Sequence, residues 1–315
     1  MKYPIFLKPI FKERIWGGTA LRDQFNYNIP SDTTGECWAI SAHPNGSSVV
    51  ESGKFNGKLL SELWDKHPEL FGYYKSEHFP LLVKILDANE NLSIQVHPND
   101  AFAKANEKDE CGKTECWYII DCDEEAEIVL GHNANTKEQF VSMIKNGHWD
   151  KLLQRIKIKP GDFFYIPSGT LHALCKGALV LEIQQSADTT YRIYDYNRRD
   201  KEGNLRELHI EKAIKVTTIP HMEKRREPAL CNTNKSMITT FVEGEYFTVY
   251  KWDIFSRLEM IQDCHFMLMS VIDGNGTLCI QNVKYPIQKG QHFILPNGTG
   301  NFVIEGAVQL IVSHP

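Results

Sequence analysis

Residues 158–174 read IKPGDFFYIPSGTLHAL, and the fold class follows from this stretch. Gly161 follows Pro160, so the chain turns there. Phe163, Phe164, Tyr165 and Ile166 are aromatic or β-branched and read as a strand. Pro167 lacks the N–H that a sheet ladder needs, so the strand stops. Gly169 tolerates a positive φ, which allows a tight return. His172 then opens a second strand, predicted to run from Leu171 to Ile183. A histidine held between two antiparallel strands, its approach fixed by Gly and Pro, is well placed to bind a metal.

A second stretch complements the first. In Leu92-Ser93-Ile94-Gln95-Val96-His97, period two puts Gln95 and His97 on one face of a strand and Ile94 and Val96 on the other. Glu115 precedes the apolar run Trp117-Tyr118-Ile119-Ile120. Between them, Pro98-Asn99-Asp100 predicts a capped short helix. The string G-x5-P-x-G-x2-H is one of the two signature motifs of the cupin barrels, and the chain resembles that superfamily. The usual first motif there is H-x-H-x3–4-E. Here Gln95 stands at the first His position, and an insertion places Glu115 eighteen residues after His97. The resemblance implies a mainly β fold of jelly-roll-like barrels, with a metal held by Gln95, His97, Glu115 and His172. Two imidazoles, one carboxylate and a neutral amide suit a single Zn2+, with nickel, iron, manganese or cobalt compatible on affinity alone. One carboxylate on a divalent ion leaves residual positive charge, which can stabilise an enolate or alkoxide.

The chain repeats itself. Residues 287–303, IQKGQHFILPNGTGNFV, align with 158–174, and Asn301 takes the place of His172. Ile119-Ile120-Asp121 matches Val271-Ile272-Asp273, which puts Met267 opposite Glu115. A second barrel that kept the fold signals and lost the ligands is expected. The predicted division is a metal-binding barrel over 1–221, a linker over 222–234 and a ligand-less barrel over 235–315. Helical patterns begin at Leu59 and at Thr136, and a third covers His209 to Val216. Helical insertions are therefore expected at about 43–80 and 98–155, covering one mouth of the first barrel. The charge run Glu223-Lys224-Arg225-Arg226-Glu227 reads as solvated linker.

Composition narrows the function. With 315 residues, 42% hydrophobic, and a net charge of −5 without a basic tract, nucleic acid is not the expected partner. The N-terminus lacks the apolar core of a signal peptide, and no apolar stretch reaches the roughly 18 residues of a membrane span. Eight scattered cysteines, none as C-x2-C, suit a reduced, cytoplasmic protein. A monomer or a homodimer is expected.

Cations cluster around the candidate ligands. Lys84 interrupts the apolar run Leu82 to Leu86, where a lysine needs a partner. Lys113 stands two residues before Glu115, and Ser93 two before Gln95, on the ligands' faces. Arg192 follows Glu182 by ten residues. Cations and a hydroxyl beside a metal imply an anionic substrate, most simply a phosphate. Taken in order, Trp16-Gly17-Gly18, the Lys84 strand, residues 92–99, Lys113-x-Glu115-x-Trp117, residues 167–173 and the stretch ending in Arg192 resemble the type I phosphomannose isomerases over nearly the whole length. The resemblance implies a compact member that interconverts mannose 6-phosphate and fructose 6-phosphate through a cis-enediol(ate). Trp16, Lys84, Ser93, Lys113 and Glu182 would line the pocket, and Arg192 would be the active-site arginine. Glu182 and Lys113 are both candidates for proton transfer, and Arg192 for binding phosphate or steadying the enediolate. Departures are Thr114 in place of the usual Pro, and Leu174 where a Tyr is frequent. A dioxygenase-like cupin enzyme and a non-catalytic sugar-phosphate-binding module stay open on sequence.

Overall fold

The computed structural model describes residues 3–108, 110–199, 203–223 and 227–315. Lys224, Arg225 and Arg226 of the predicted linker run lie outside the described residues. The architecture is mainly β.

Two antiparallel sheets build the metal-binding half. The six-stranded sheet runs in the order Phe163–Ile166, Glu115–Cys122, Ala178–Gln185, Leu81–Ala88, Thr34–Ile40, Ile10–Gly18. The five-stranded sheet runs Leu153–Lys157, Glu127–His132, His172–Leu174, Ile94–Val96, Tyr191–Tyr194. Their inner faces share one apolar cluster, with Leu86, Ile119, Ile166 and Val180 from the first and Ile128, Leu130 and Leu174 from the second. The predicted strand from Leu171 to Ile183 is two strands, one in each sheet. Gly177, at φ 87°, makes the break. A Cβ there would lie 2.5 Å from an Asp123 carboxylate oxygen, so the chain crosses between sheets where only glycine fits.

The helices are found where the periodicity places them. Thr136 Oγ1 accepts from the Gln139 N–H and caps Lys137–Lys145. That helix, Trp149–Leu152 and Ile210–Val216 pack on the outer face of the five-stranded sheet, against Ile94, Val96, Ala173 and Ile193. The reason lies in the strand pleat: Ile94 and Val96 point away from Gln95, so that outer face is apolar and must be covered. Likewise, 98–155 is not wholly an insertion, since it contributes Glu115–Cys122 and Glu127–His132 to the two sheets. In the 43–80 region, Leu60, Leu63, Phe71 and Phe79 join Phe266 and Leu268 in a cluster between the two halves of the molecule.

The second half is a ten-stranded sheet system. It draws on both ends of the chain: Ile5–Lys8 pairs with His292–Leu295, and Ala229–Asn232 pairs with Ser236–Glu243. The repeat holds to the residue. Glu115 pairs with Ile166 in the first half, and Met267 with Leu295 in the second. Met267, Met269, Trp252 and Phe302 fill its interior. Among the described residues all eight cysteines are free, and no helix is long and apolar enough to cross a membrane.

Candidate metal centre and substrate cavity

Three segments converge between the two sheets. Gln95 lies on Ile94–Val96, paired in register with His172 at the start of His172–Leu174. His97 follows the first of these strands, and Glu115 opens Glu115–Cys122 on the facing sheet. His97 Nε2 is 3.4 Å from Glu115 Oε2, and His172 Nε2 is 3.3 Å from Glu115 Oε1. All ligand atoms of this trio lie within 4.8 Å of one another.

The remaining contacts define the protonation states. His97 Nδ1 lies 2.9 Å from the Thr189 carbonyl, and His172 Nδ1 lies 2.9 Å from the Thr170 carbonyl. A carbonyl only accepts, so both Nδ1 atoms carry the proton and both Nε2 atoms present lone pairs. Burial, reinforced by Lys113, pushes His97 down to about 3, and burial also lowers His172. Both are therefore neutral near pH 7. Burial disfavours a charged Glu115, but the Lys113 ammonium beside it holds its carboxyl well below the usual carboxylate range. Both Glu115 oxygens are buried without a hydrogen bond. Lys113 Nζ, at 2.9 Å from Oε2, forms an ion pair outside hydrogen-bond geometry. Two imidazole nitrogens that can only accept face a carboxylate with no hydrogen bond, so acceptors are turned on acceptors. Such a set fits a cation. The Gln95 amide reaches His172 Nε2 at 3.4 Å, and the Ser93 hydroxyl donates to Gln95 Oε1 at 3.3 Å.

Gln95 and Lys113, which touch this trio, line a cavity of about 410 Å3. Trp16, Lys84, Ser93, Gln95, Lys113, Glu182 and Arg192 all line it, so every residue singled out from sequence beyond the trio opens onto one space. Cross-strand register arranges them. On the five-stranded sheet His172, Gln95 and Arg192 form one row. On the facing sheet Trp117, Glu182, Lys84 and Trp38 form another. Trp117 Nε1 donates to Glu182 Oε2 at 2.9 Å, and Lys84 Nζ lies 3.5 Å from Glu182 Oε1. Lys113 also lies 3.2 Å from His97 Nε2, which joins the trio to the cavity wall.

Several lining residues escaped the sequence reading, Arg14, Glu36, Asp188 and Arg206 among them. Arg14 shares a face with Trp16 by period two, a signal that was present. Glu36, Asp188 and Arg206 carry no local signal. Arg14 holds Glu36 through two hydrogen bonds, of 2.8 and 3.1 Å. Burial works against the Glu36 charge, but Lys84 and Arg14 bring its carboxyl down to about 2. The Arg192 guanidinium has no ion pair among the described residues, and its Nε is buried without a partner. Burial lowers Arg192 from its ordinary value without neutralising it.

The comparisons agree with this geometry. Residues 5–130 match the type I phosphomannose isomerase catalytic domain, and residues 237–315 the cupin domain of mannose-6-phosphate isomerases. The chain is 54% identical to mannose-6-phosphate isomerase ManA of Bacillus subtilis, over 99% of this chain and 98% of that protein. It is 50% identical to mannose-6-phosphate isomerase of Streptococcus mutans, over 100% and 99%. The crystal structure of the mannose 6-phosphate isomerase from Bacillus subtilis superposes with a TM-score of 0.98 at 57% identity, covering all of both chains.

Proposed function

The chain belongs to the type I mannose-6-phosphate isomerases, and on that premise we infer that it interconverts mannose 6-phosphate and fructose 6-phosphate in the cavity described above. The observation that carries the reading is that the cavity is lined by Gln95 and Lys113, which contact His172 and His97 of the ligand trio. Membership and a full ligand set favour an isomerase over a dioxygenase-like enzyme or a binding-only module.

Gln95, His97, Glu115 and His172 would hold the ion, for which we propose zinc. When bound, it supplies Lewis acidity toward substrate oxygens. The protein's own groups do the rest. Glu182 is the carboxylate of the cavity, fixed by the Trp117 indole and by Lys84. It takes the proton from C2 of the open-chain aldose and returns it to C1. Lys113 is the nearest ammonium to the ligand trio. It passes the C2 hydroxyl proton to the C1 oxygen and balances the charge of the cis-enediolate between the two steps. Arg192 sits one strand beyond Gln95 and two beyond His172, roughly 10 Å from the ligand strand at ordinary strand spacing. An open-chain sugar phosphate spans a similar length, so Arg192 holds the phosphate, with a guanidinium that forms no ion pair among the described residues.

The test is a coupled assay of fructose 6-phosphate formation from mannose 6-phosphate, before and after chelation. Loss with chelator and return with zinc support the reading. Full turnover by protein shown to be metal-free would end it.

A further inference from the structure

Lys113 lies on a segment with no sheet ladder to hold it. Residues 110–114 have no regular secondary structure, and the strand begins only at Glu115. Each buried N–H of such a segment needs an acceptor from elsewhere. Three in succession have one. Gly112 N–H donates to Asp100 Oδ1 at 2.8 Å, Lys113 N–H to the Pro98 carbonyl at 3.0 Å, and Thr114 N–H to Gln185 Oε1 at 2.9 Å. Gln185 Nε2 donates to the same Asp100 oxygen at 3.1 Å, and the Gln185 N–H to the Thr114 carbonyl at 3.0 Å. The set closes on itself. Thr114 Oγ1 also accepts from the Ser168 N–H at 3.2 Å, which ties in the turn that leads to His172. The approach is too close for a side chain at 112: a Cβ on Gly112 would lie 2.4 Å from the Asp100 nitrogen. Asp100 and Gln185 do not line the substrate cavity. They face a separate cavity of about 560 Å3, with Tyr246 of the second half across it.

We propose that Gln185 and Asp100 are positioning residues that fix residues 112–114 and so aim the Lys113 ammonium and the Glu115 carboxylate at one point. The proposal rests on the metal and substrate reading of those two side chains. A loose segment would still fold, because both sheets are complete without it, but the ligand trio and Lys113 would lose their register.

The chemistry allows a swap. Gln185→Glu keeps an acceptor for the Thr114 N–H, but it loses the donor to Asp100 and sets two carboxylates together. Adding Asp100→Asn removes the second of the two carboxylates, and its amide oxygen still accepts from Gly112. Zinc affinity is measured by chelator competition on each folded variant, alongside kcat, KM and thermal midpoint. Gln185→Glu weakens zinc and lowers kcat by roughly ten- to hundredfold, and Gln185→Glu/Asp100→Asn recovers most of both. A merely structural role would lower the midpoint and leave zinc affinity and kcat alone. Zinc affinity and kcat within twofold of wild type in Gln185→Glu, or no recovery in the double variant, overturn the proposal. Failure of the wild-type protein to bind zinc or turn over would instead strike the functional reading beneath it.

Discussion

Replacing Lys84 with Met tests whether the polar row of the six-stranded sheet is held by charge. Lys84 is 4% exposed, lies 3.5 Å from Glu182 Oε1, and has the Trp38 ring centroid 5.1 Å from its Nζ. Methionine keeps the stem and the packing but removes the ammonium. Two buried carboxylates then lose a partner. For Glu36, which is lowered from 4.5 to about 2 against its own burial, the shift corresponds to roughly 3 kcal/mol, with Lys84 the largest favourable contributor. Arg14 stays on Glu36 and retains part of this. Glu182 adds to the loss, because Trp117 alone remains to it. The expected destabilisation is about 3–5 kcal/mol at pH 7, typical of breaking one side of a buried pair. The pH dependence has a definite sign. A carboxyl held below its unfolded value stabilises the fold above about pH 4.5, and that contribution fades as pH falls toward 2. Without Lys84 the carboxyl is no longer held so low. The gap between wild type and Lys84→Met is therefore full at pH 7 and narrows between about pH 4.5 and 2. Urea unfolding at fixed zinc and several pH values reads it directly. A gap under about 1 kcal/mol at pH 7, or one that does not change down to pH 3, would refute the electrostatic account of this row.

Two further variants separate the roles assigned in the cavity. Glu182→Gln keeps the Trp117 hydrogen bond and removes the base; kcat should fall by about 100- to 10,000-fold, with KM changed by less than about threefold, in steady-state kinetics with zinc present. Arg192→Ala should raise KM for the sugar phosphate by at least about tenfold and leave kcat within a few fold, whereas a dominant fall in kcat would move Arg192 from phosphate to the enediolate.

Local rules of side-chain direction made much of the site legible before any coordinates. Period two alone put Gln95 and His97 on one face, and the oddity of a lysine among Leu82, Val83, Ile85 and Leu86 flagged Lys84. Both open on the same site because a pleat is a local property. Non-local pairing stayed hidden. Glu36 and Lys84 come together only because Thr34–Ile40 lies beside Leu81–Ala88, and nothing near residue 206 announces that Arg206 faces the cavity. Where the helices dock was hidden for the same reason. Amphipathic periodicity tells that Phe140 and Ile144 need an apolar partner, and not that the partner is the back of Ile94–Val96. The Gly177 crossing was missed because hydrophobic content runs on through it, while the sheet changes.

The two halves show what the same scaffold does with and without charge at its centre. Glu115, Trp117 and Tyr118 in the first half have Met267, Met269 and Ser270 as their register counterparts in the second. In the first half a carboxylate, two imidazoles and two ammonium groups must be kept out of water, and each needs a partner from another strand. In the second, methionines fill the space with an unbroken apolar cluster. That cluster has no work to do at a site, and it is free to be firm. The first half leans on it: Phe71 packs edge-on and Phe79 tilted against Phe266, with centroids 5.3 and 5.5 Å away, and Ile5–Lys8 crosses over to pair with His292–Leu295. A domain burdened with a cluster of charge at its centre is thus joined to one with an apolar centre, by a shared core and a strand that crosses over. The division of labour follows from the loss of Glu115 and His172 in the second copy, because an apolar interior is the cheaper structure once no ion has to be held.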